Sequence, residues 1–295
     1  MGNSSKGWGR KWKMGGALFV AAIILGAILV WSAASILIAP ANHPIGNPPA
    51  ELPAQSVEFP SASGSMIHGW LVTARAGKGV VVLMHGIRSS RLAMVPHAEF
   101  LYQAGYSVLL FDFQAHGESP GTNVTAGFLE SRDATAAVNF VHEKFPGQKV
   151  GVIGFSMGAA AALLAEPPLP VEAMVLESCY PTIYQAVANR LAMRVGLLGR
   201  LSTPLLTWQL KPRLGFGEDD LCPIRRVANI TVPKFFIAGM IDHDTTAEES
   251  QALYDAAAEP KQLWLVDDAA HVDMLAFAGT EYKKRILEFL AGHLN

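Results

Sequence analysis

Cysteine, charge and internal repetition are all scarce in this chain. Of 295 residues only two are cysteines, Cys179 and Cys222, and no zinc-type spacing is present. A disulfide-dense scaffold and a structural zinc site are therefore excluded, leaving either one bridge across the intervening segment or two small unpaired apolar side chains. Charged residues make up only 16% of the sequence and the formal net charge is −2, with no basic cluster outside the amino-terminal tail. That leaves no electrostatic footprint for nucleic acid. No internal repeat is visible, and no low-complexity segment beyond one proline-dense stretch.

What is abundant is apolar sequence, 51% of the chain, and much of it is concentrated. From Gly15 to Ala39 no charged side chain occurs, a run long enough as a helix to cross the roughly 30 Å hydrocarbon core of a bilayer. Lys6, Arg10, Lys11 and Lys13 precede this run, whereas only Glu51 and Glu58 follow it up to Pro60. By the positive-inside bias, residues 1–14 form a cytoplasmic basic tail, 15–39 a transmembrane anchor, and everything after Pro40 lies outside the cytoplasm. A cleaved signal peptide competes, since Ala39-Pro40-Ala41 offers small residues, but the run exceeds the usual apolar region of about 7–15 residues. The opening Met-Gly-Asn-Ser-Ser-Lys matches a myristoylation signal poorly, because Lys6 stands where Ser or Thr is needed.

Residues 40–54 are dense in proline and lack an apolar period, which reads as an extended linker lifting a folded domain, residues 55–295, off the membrane. An opening strand pair is expected at Val57–Phe59 and Met66–Thr73. Buried strands follow at Val80–Met84, Ser107–Phe111, Lys149–Ile153, Ala173–Glu177, Lys234–Ala238 and Gln262–Val266. Helical stretches fit between them at Arg91–Ala104, Phe128–Lys144, Met157–Glu166, Thr246–Ala258 and Thr280–Leu294. Such alternation predicts an α/β fold, a mostly parallel eight-stranded sheet with helices on both faces and functional loops at the carboxyl ends of strands. Only residues 180–221 break the pattern, with helical pieces such as Thr182–Val195 and no new strand, and they are expected to form a small helical cap.

The strongest local signal is Gly154-Phe155-Ser156-Met157-Gly158, which follows an apolar strand and precedes the alanine-rich stretch Ala159–Ala165. Strand, tight turn and helix are the setting in which G-x-S-x-G exposes a nucleophilic serine, and the helix amino terminus favours the oxyanion formed during attack. A serine needs a base, and of nine histidines His271 is placed best, on a loop between the last strand and the last helix. His43, His142 and His293 fall in the linker or on helices and read as surface groups. The imidazole needs a carboxylate in turn. The loop after Gly239 supplies Asp242 and Asp244; Asp242 is favoured because it is nearer the strand, while Asp244 could cap the following helix. The second oxyanion donor, beside Met157 N–H, is expected from His85-Gly86-Ile87, where Ile87 N–H would point at the oxyanion and His85 is structural.

With these residues in view the sequence resembles the α/β-hydrolase superfamily, and within it the small-capped, membrane-tethered hydrolases of the BEM46 and ABHD13-like group. The resemblance runs from about Gln55 to the end and rests on His85-Gly86, on Asp112 to Ser119, on the serine motif, on Gly239 to Asp242 and on His271. It implies hydrolysis of carboxylic esters, thioesters or sometimes amides on a small-molecule acyl substrate, with no metal or organic cofactor. It also implies structural roles for Asp112 and the His116-Gly117 turn. One departure is His85-Gly86-Ile87-Arg88 in place of a more glycine-rich oxyanion loop, which argues against hydrolases that admit bulky tertiary alcohols. A serine peptidase on the same fold is the alternative; a tethered binding module without activity would be expected to have lost a member of the serine, acid and base set.

Overall fold

The computed structural model describes residues 5–75 and 77–294, with side chains described from Met14 onward, Ile23 and Ala76 excepted. The Met-Gly-Asn-Ser opening and the side chains of the basic tail lie outside the described residues. The chain divides into two compact units, residues 1–39 and 40–295.

The first unit is one helix, α1 (Ser5–Ile38). Within it Met14–Ile38, 25 residues, is long and apolar enough to cross a membrane. Side chains such as Leu18, Phe19, Leu25 and Leu29 are exposed along it.

The second unit begins with β1 (Ala41–Asn42), β2 (Ala54–Pro60), β3 (Met66–Val72) and β4 (Val80–Met84). It continues with α2 (Val95–Gln103), β5 (Ser107–Phe111), β6 (His116–Gly117), α3 (Glu130–Lys144), β7 (Val150–Phe155), α4 (Met157–Leu164) and β8 (Ala173–Glu177). Then come α5 (Ile183–Thr207), α6 (Leu210–Leu214), α7 (Pro223–Arg226), β9 (Lys234–Gly239), α8 (Ala247–Ala256), β10 (Lys261–Val266) and α9 (Met274–Leu294). Eight strands form one sheet in the order β10-β9-β8-β7-β4-β5-β3-β2. It is mixed: β2 and β3 run antiparallel at one edge, and β5, β4, β7, β8, β9 and β10 are parallel.

Alternation along the central strands builds two cores. In β4, Val80, Val82 and Met84 face one side and Val81 and Leu83 the other. The first set packs with α3 and α4 through Ala137, Val141, Ala160 and Leu163, the second with α2 and α9 through Leu101, Tyr282, Ile286 and Leu290. Burial on both faces explains why these strands read as unbroken apolar runs. Removing one such side chain costs about 2–5 kcal/mol, so the sheet is a stiff platform for the loops at its carboxyl edge.

Several boundaries differ from the expectations. The stretch read as a free linker is bound to the domain. Ala41 N–H donates to Ala115 O at 2.7 Å and His43 N–H to Gly117 O at 2.9 Å, Ile45 and Gly46 donate to Glu118 Oε1, and Leu52 is buried. Backbone bonds to a distant turn leave no trace in apolar periodicity. Helix α9 starts at Met274, not Thr280, because Asp273 Oδ1 accepts from Leu275 N at 2.8 Å and Ala276 N at 3.2 Å as a cap. Gly279, with φ 49°, then breaks it, so the expected start falls at its second piece. Between β8 and β9 the chain forms helices and no strand: α5 is capped by Thr182, whose side chain accepts from Gln185 N, and is interrupted at Val195 and Gly196, the latter at φ 62°. Cys179 and Cys222 are buried and unpaired.

Candidate active site

The serine turn is shaped by what its neighbours cannot accommodate. A Cβ at Gly154 would sit 2.6 Å from Ala159 N, and one at Gly158 would sit 2.3 Å from Met84 O. Both glycines are therefore steric requirements for β7, α4 and β4 to approach. Between them Ser156 adopts φ 51°, ψ −110°, a strained conformation for a residue with a side chain, held by Ser156 N–H to Glu177 O at 2.8 Å. Its Oγ lies 3.2 Å from His271 Nε2, and His271 Nδ1 lies 2.8 Å from Asp242 Oδ2.

Three loops converge to make that chain of contacts. A Cβ at Gly239 would meet Ala269 O at 2.2 Å, so glycine there lets the end of β9 pass close to the loop after β10, which brings Asp242 and His271 together. Asp242 is buried, and its other oxygen, Oδ1, accepts from Asp244 N at 2.8 Å and Thr245 N at 2.9 Å. An ionised carboxylate only accepts, so Nδ1 of His271 carries the proton and Nε2 presents its lone pair to the serine hydroxyl. Asp244 points elsewhere: its Oδ1 accepts from Arg190 Nε at 2.6 Å. It does not cap α8 either, whose cap is Thr246 in a capping box with Glu249. Asp242, Asp244 and His271 offer ligand atoms within 4.8 Å of one another. These atoms are engaged with N–H groups, Arg190 and the imidazole, which describes a hydrogen-bonded relay.

Met157 opens α4, so its N–H has no intrahelical acceptor. Ile87 N–H likewise donates to no acceptor among the described residues. Ile87 and Ser156 line the same cleft. The loop bearing Ile87 is held in two ways. Arg88, at φ 58°, donates its N–H to His116 Nε2 at 3.0 Å, and Gly86 lies so close to Phe155 that a Cβ would be 2.9 Å from its ring. His85 accepts from Phe113 N at Nε2 and bonds Gly86 O through Nδ1. Complete burial lowers its pKa to about 3, so it is a neutral structural group. Asp112 accepts from Arg91 N, Arg91 Nη1 and Glu118 N, and a Cβ on Gly117 would collide with its carboxylate at 2.2 Å. These residues tie the loop bearing Ile87 to the turn after β5.

Several polar groups that the sequence analysis did not single out also line this cleft, among them His97, Glu177, Arg190 and Asp273. The cleft has a volume of about 180 Å³. Glu177 ends β8 at the carboxyl edge of the sheet, the one sequence signal that could have flagged it. Burial raises its pKa to about 8, although its Oε1 is hydrogen-bonded to Tyr282 OH.

Residues 75–216 match the family model for serine aminopeptidase, S33. The chain is 29% identical to the Mycobacterium tuberculosis protein Rv2307c, over 92% of each chain, and 26% identical to YfhR of Escherichia coli K12, over 82% of each. Among solved structures it is similar to the esterase Pf2001 of Pyrococcus furiosus, at 30% identity and a TM-score of 0.70, over 87% of this chain and 100% of that one.

Proposed function

This chain belongs to the α/β-hydrolase superfamily and is a hydrolase, and from that premise we propose that it cleaves carboxylic esters or thioesters through an acyl-enzyme intermediate on Ser156. The carrying observation is the unbroken relay from Ser156 Oγ through His271 to Asp242. In this reading Ser156 Oγ attacks the carbonyl carbon while His271 Nε2 takes the hydroxyl proton. Asp242 stabilises the imidazolium, and Met157 and Ile87 N–H donate to the oxyanion. Collapse of the tetrahedral intermediate expels the alcohol or thiol, which leaves with the proton from His271. Water then attacks the acyl-enzyme by the same route and releases the acid and free Ser156.

The similarity to the Pyrococcus esterase favours esters, and the serine aminopeptidase family model supplies the second reading, amide cleavage by the same residues. Acyl esters of increasing chain length, assayed beside a panel of aminoacyl amides, separate them. Ester turnover far above amide turnover is expected, the reverse moves the assignment to a peptidase, and no turnover of either contradicts the proposal.

The apolar helix supports membrane attachment. We assign it as a retained anchor with the basic tail inside and the hydrolase unit outside, because Lys6, Arg10, Lys11 and Lys13 precede the span and no Lys or Arg follows it up to Pro60. Protease added to intact spheroplasts is expected to digest the unit after Pro40. Protection until the membrane is broken would reverse the orientation, and recovery of a soluble chain beginning near Pro40 would identify a cleaved signal peptide.

A further inference from the structure

The second piece of α5, after the break at Val195 and Gly196, presents its apolar face outward. Leu197, Leu198, Leu201, Pro204, Leu205 and Trp208 recur at i, i+1, i+4, i+7, i+8 and i+11, which is one stripe of a helix. All of them are exposed, Leu198 at 77% and Trp208 at 70%. The opposite stripe, which faces the domain, consists of Gly199, Thr203, Leu206 and Thr207, all buried. Glycine is required there, because a Cβ on Gly199 would sit 2.3 Å from Leu191 O on the first piece of the helix. The two pieces are packed together, so the outward direction of the leucines is set by the fold. A helix that met only water would be expected to carry the reverse pattern, with its leucines inside and its threonines outside.

We propose that this stripe is a membrane-docking surface, which inserts into the headgroup and upper acyl region of a bilayer containing anionic lipid. Two observations besides exposure select this partner. The first is charge: residues 178–217 contain five basic side chains, Arg190, Arg194, Arg200, Lys211 and Arg213, and no acidic one. Arg190 is committed to Asp244, whereas Arg194, Arg200 and Lys211 are exposed. Arg200 borders the stripe at i, i+4 from Pro204, and Arg194 and Lys211 flank its two ends in sequence. Leucines and a tryptophan bordered by cations fit an anionic interface, where long basic side chains reach the headgroups while the apolar face enters the acyl region. A second copy of this chain fits worse, since in a two-fold interface the stripe would meet itself and set cations against cations with no carboxylate from this segment between them. The second observation is the tether. The candidate span ends at Ile38 and β1 begins at Ala41, so an anchored chain holds its hydrolase unit at high local concentration beside the bilayer, where weak interfacial contacts suffice. The inference rests on the anchor reading for this proximity alone. It goes beyond the chemistry at Ser156, whose cleft is lined by other residues.

The test uses the full-length chain reconstituted into phosphatidylcholine vesicles with increasing phosphatidylglycerol. Leu201→Cys carries a polarity-sensitive nitrobenzoxadiazole label; Cys179 and Cys222 are buried, and the unsubstituted protein treated alike gives the background. Emission is expected to shift to the blue and to be quenched by lipids brominated in the upper acyl chain, as insertion by about 5–10 Å requires. Quenching is expected to rise with phosphatidylglycerol content. With Arg194→Gln and Arg200→Gln added, the same quenching is expected to need more phosphatidylglycerol, since binding weakens by about fivefold for each cation removed. A label at Glu288→Cys, exposed on α9, is expected to stay unquenched. Leu198→Cys serves the same purpose if Leu201→Cys does not fold. Absence of quenching in anionic vesicles overturns the docking surface, as does equal quenching at the two sites or a titration indifferent to the two arginines. A blue shift without lipid quenching that grows with protein density identifies a second copy as the occupant and overturns it too. Extraction with alkaline carbonate after the fluorescence measurement reports on the anchor separately. A chain retained but unquenched keeps the anchor and loses the docking surface, whereas a chain that is extracted loses the anchor reading and leaves docking to be decided by its quenching.

Discussion

Ser156→Ala and His271→Ala are each expected to lower kcat by about 10⁴–10⁶-fold, and the double variant to be scarcely slower than either single one. The reasoning is that the two groups act in one event. Without the hydroxyl there is nothing for His271 to deprotonate, and without the imidazole the hydroxyl is a poor nucleophile near neutral pH. The 3.2 Å contact between Oγ and Nε2 is what makes them one unit. Folding is expected to survive both changes. Ser156 is held by its backbone N–H to Glu177 O, which alanine keeps, and His271 lies on a loop at the rim of the cleft. Steady-state kinetics on the best ester, with thermal melting as the control, measures this. Losses that multiply in the double variant would mean that the two residues do not act together.

Asp242→Asn is expected to lower kcat by about 10⁴-fold, and Asp244→Asn to change it by less than about fivefold. In the proposed mechanism Asp242 has a specific task, with its Oδ2 bonded to Nδ1 of His271 to fix the tautomer while Oδ1 is clamped by Asp244 and Thr245 N–H. An asparagine at 242 can present its NH2 to Nδ1, which stabilises the wrong tautomer and turns a proton toward Ser156. Asp244 forms a half-buried pair with Arg190, 24% and 38% exposed, of the kind worth about 0–1 kcal/mol. Parallel kinetics on the two variants decide the matter, and a larger loss at Asp244 would move the orienting role there.

Much of this architecture could be read from the chain because its signals are local. The six parallel strands have observed ends within two residues of those expected, and five of them, such as Val80–Met84 and Ser107–Phe111, are buried apolar runs, while β10 at the edge is mostly half-buried. The serine motif is equally legible, since its five residues are contiguous between a strand and a helix, although Gly158 is demanded by Met84 O far away in sequence. What could not be read depends on contacts far apart in sequence. His97 looks like the polar face of a surface helix, yet the ring of Tyr282 from α9 and that of Phe100 cover it. Arg91 looks solvent-exposed in sequence, but it is buried between Asp112, Glu118 and the face of Trp70. The proline-dense segment after Ala39 lacks any period, and its order comes from backbone bonds to the turn at Ala115 and Gly117. Glu177 ends an apolar strand, and only the fold reveals that the strand's carboxyl end opens onto the cleft at Ser156.

The central claim is that Ser156 is an activated nucleophile, and covalent labelling tests it most directly. A fluorophosphonate probe incubated with the native protein, followed by proteolysis and mass spectrometry, is expected to place one phosphonyl group on Ser156. Labelling is expected to vanish in Ser156→Ala and to slow greatly in His271→Ala, because the probe needs a deprotonated hydroxyl in the same geometry as the substrate. Absence of label on the folded wild-type protein, or label on a different serine that persists in Ser156→Ala, would contradict the account.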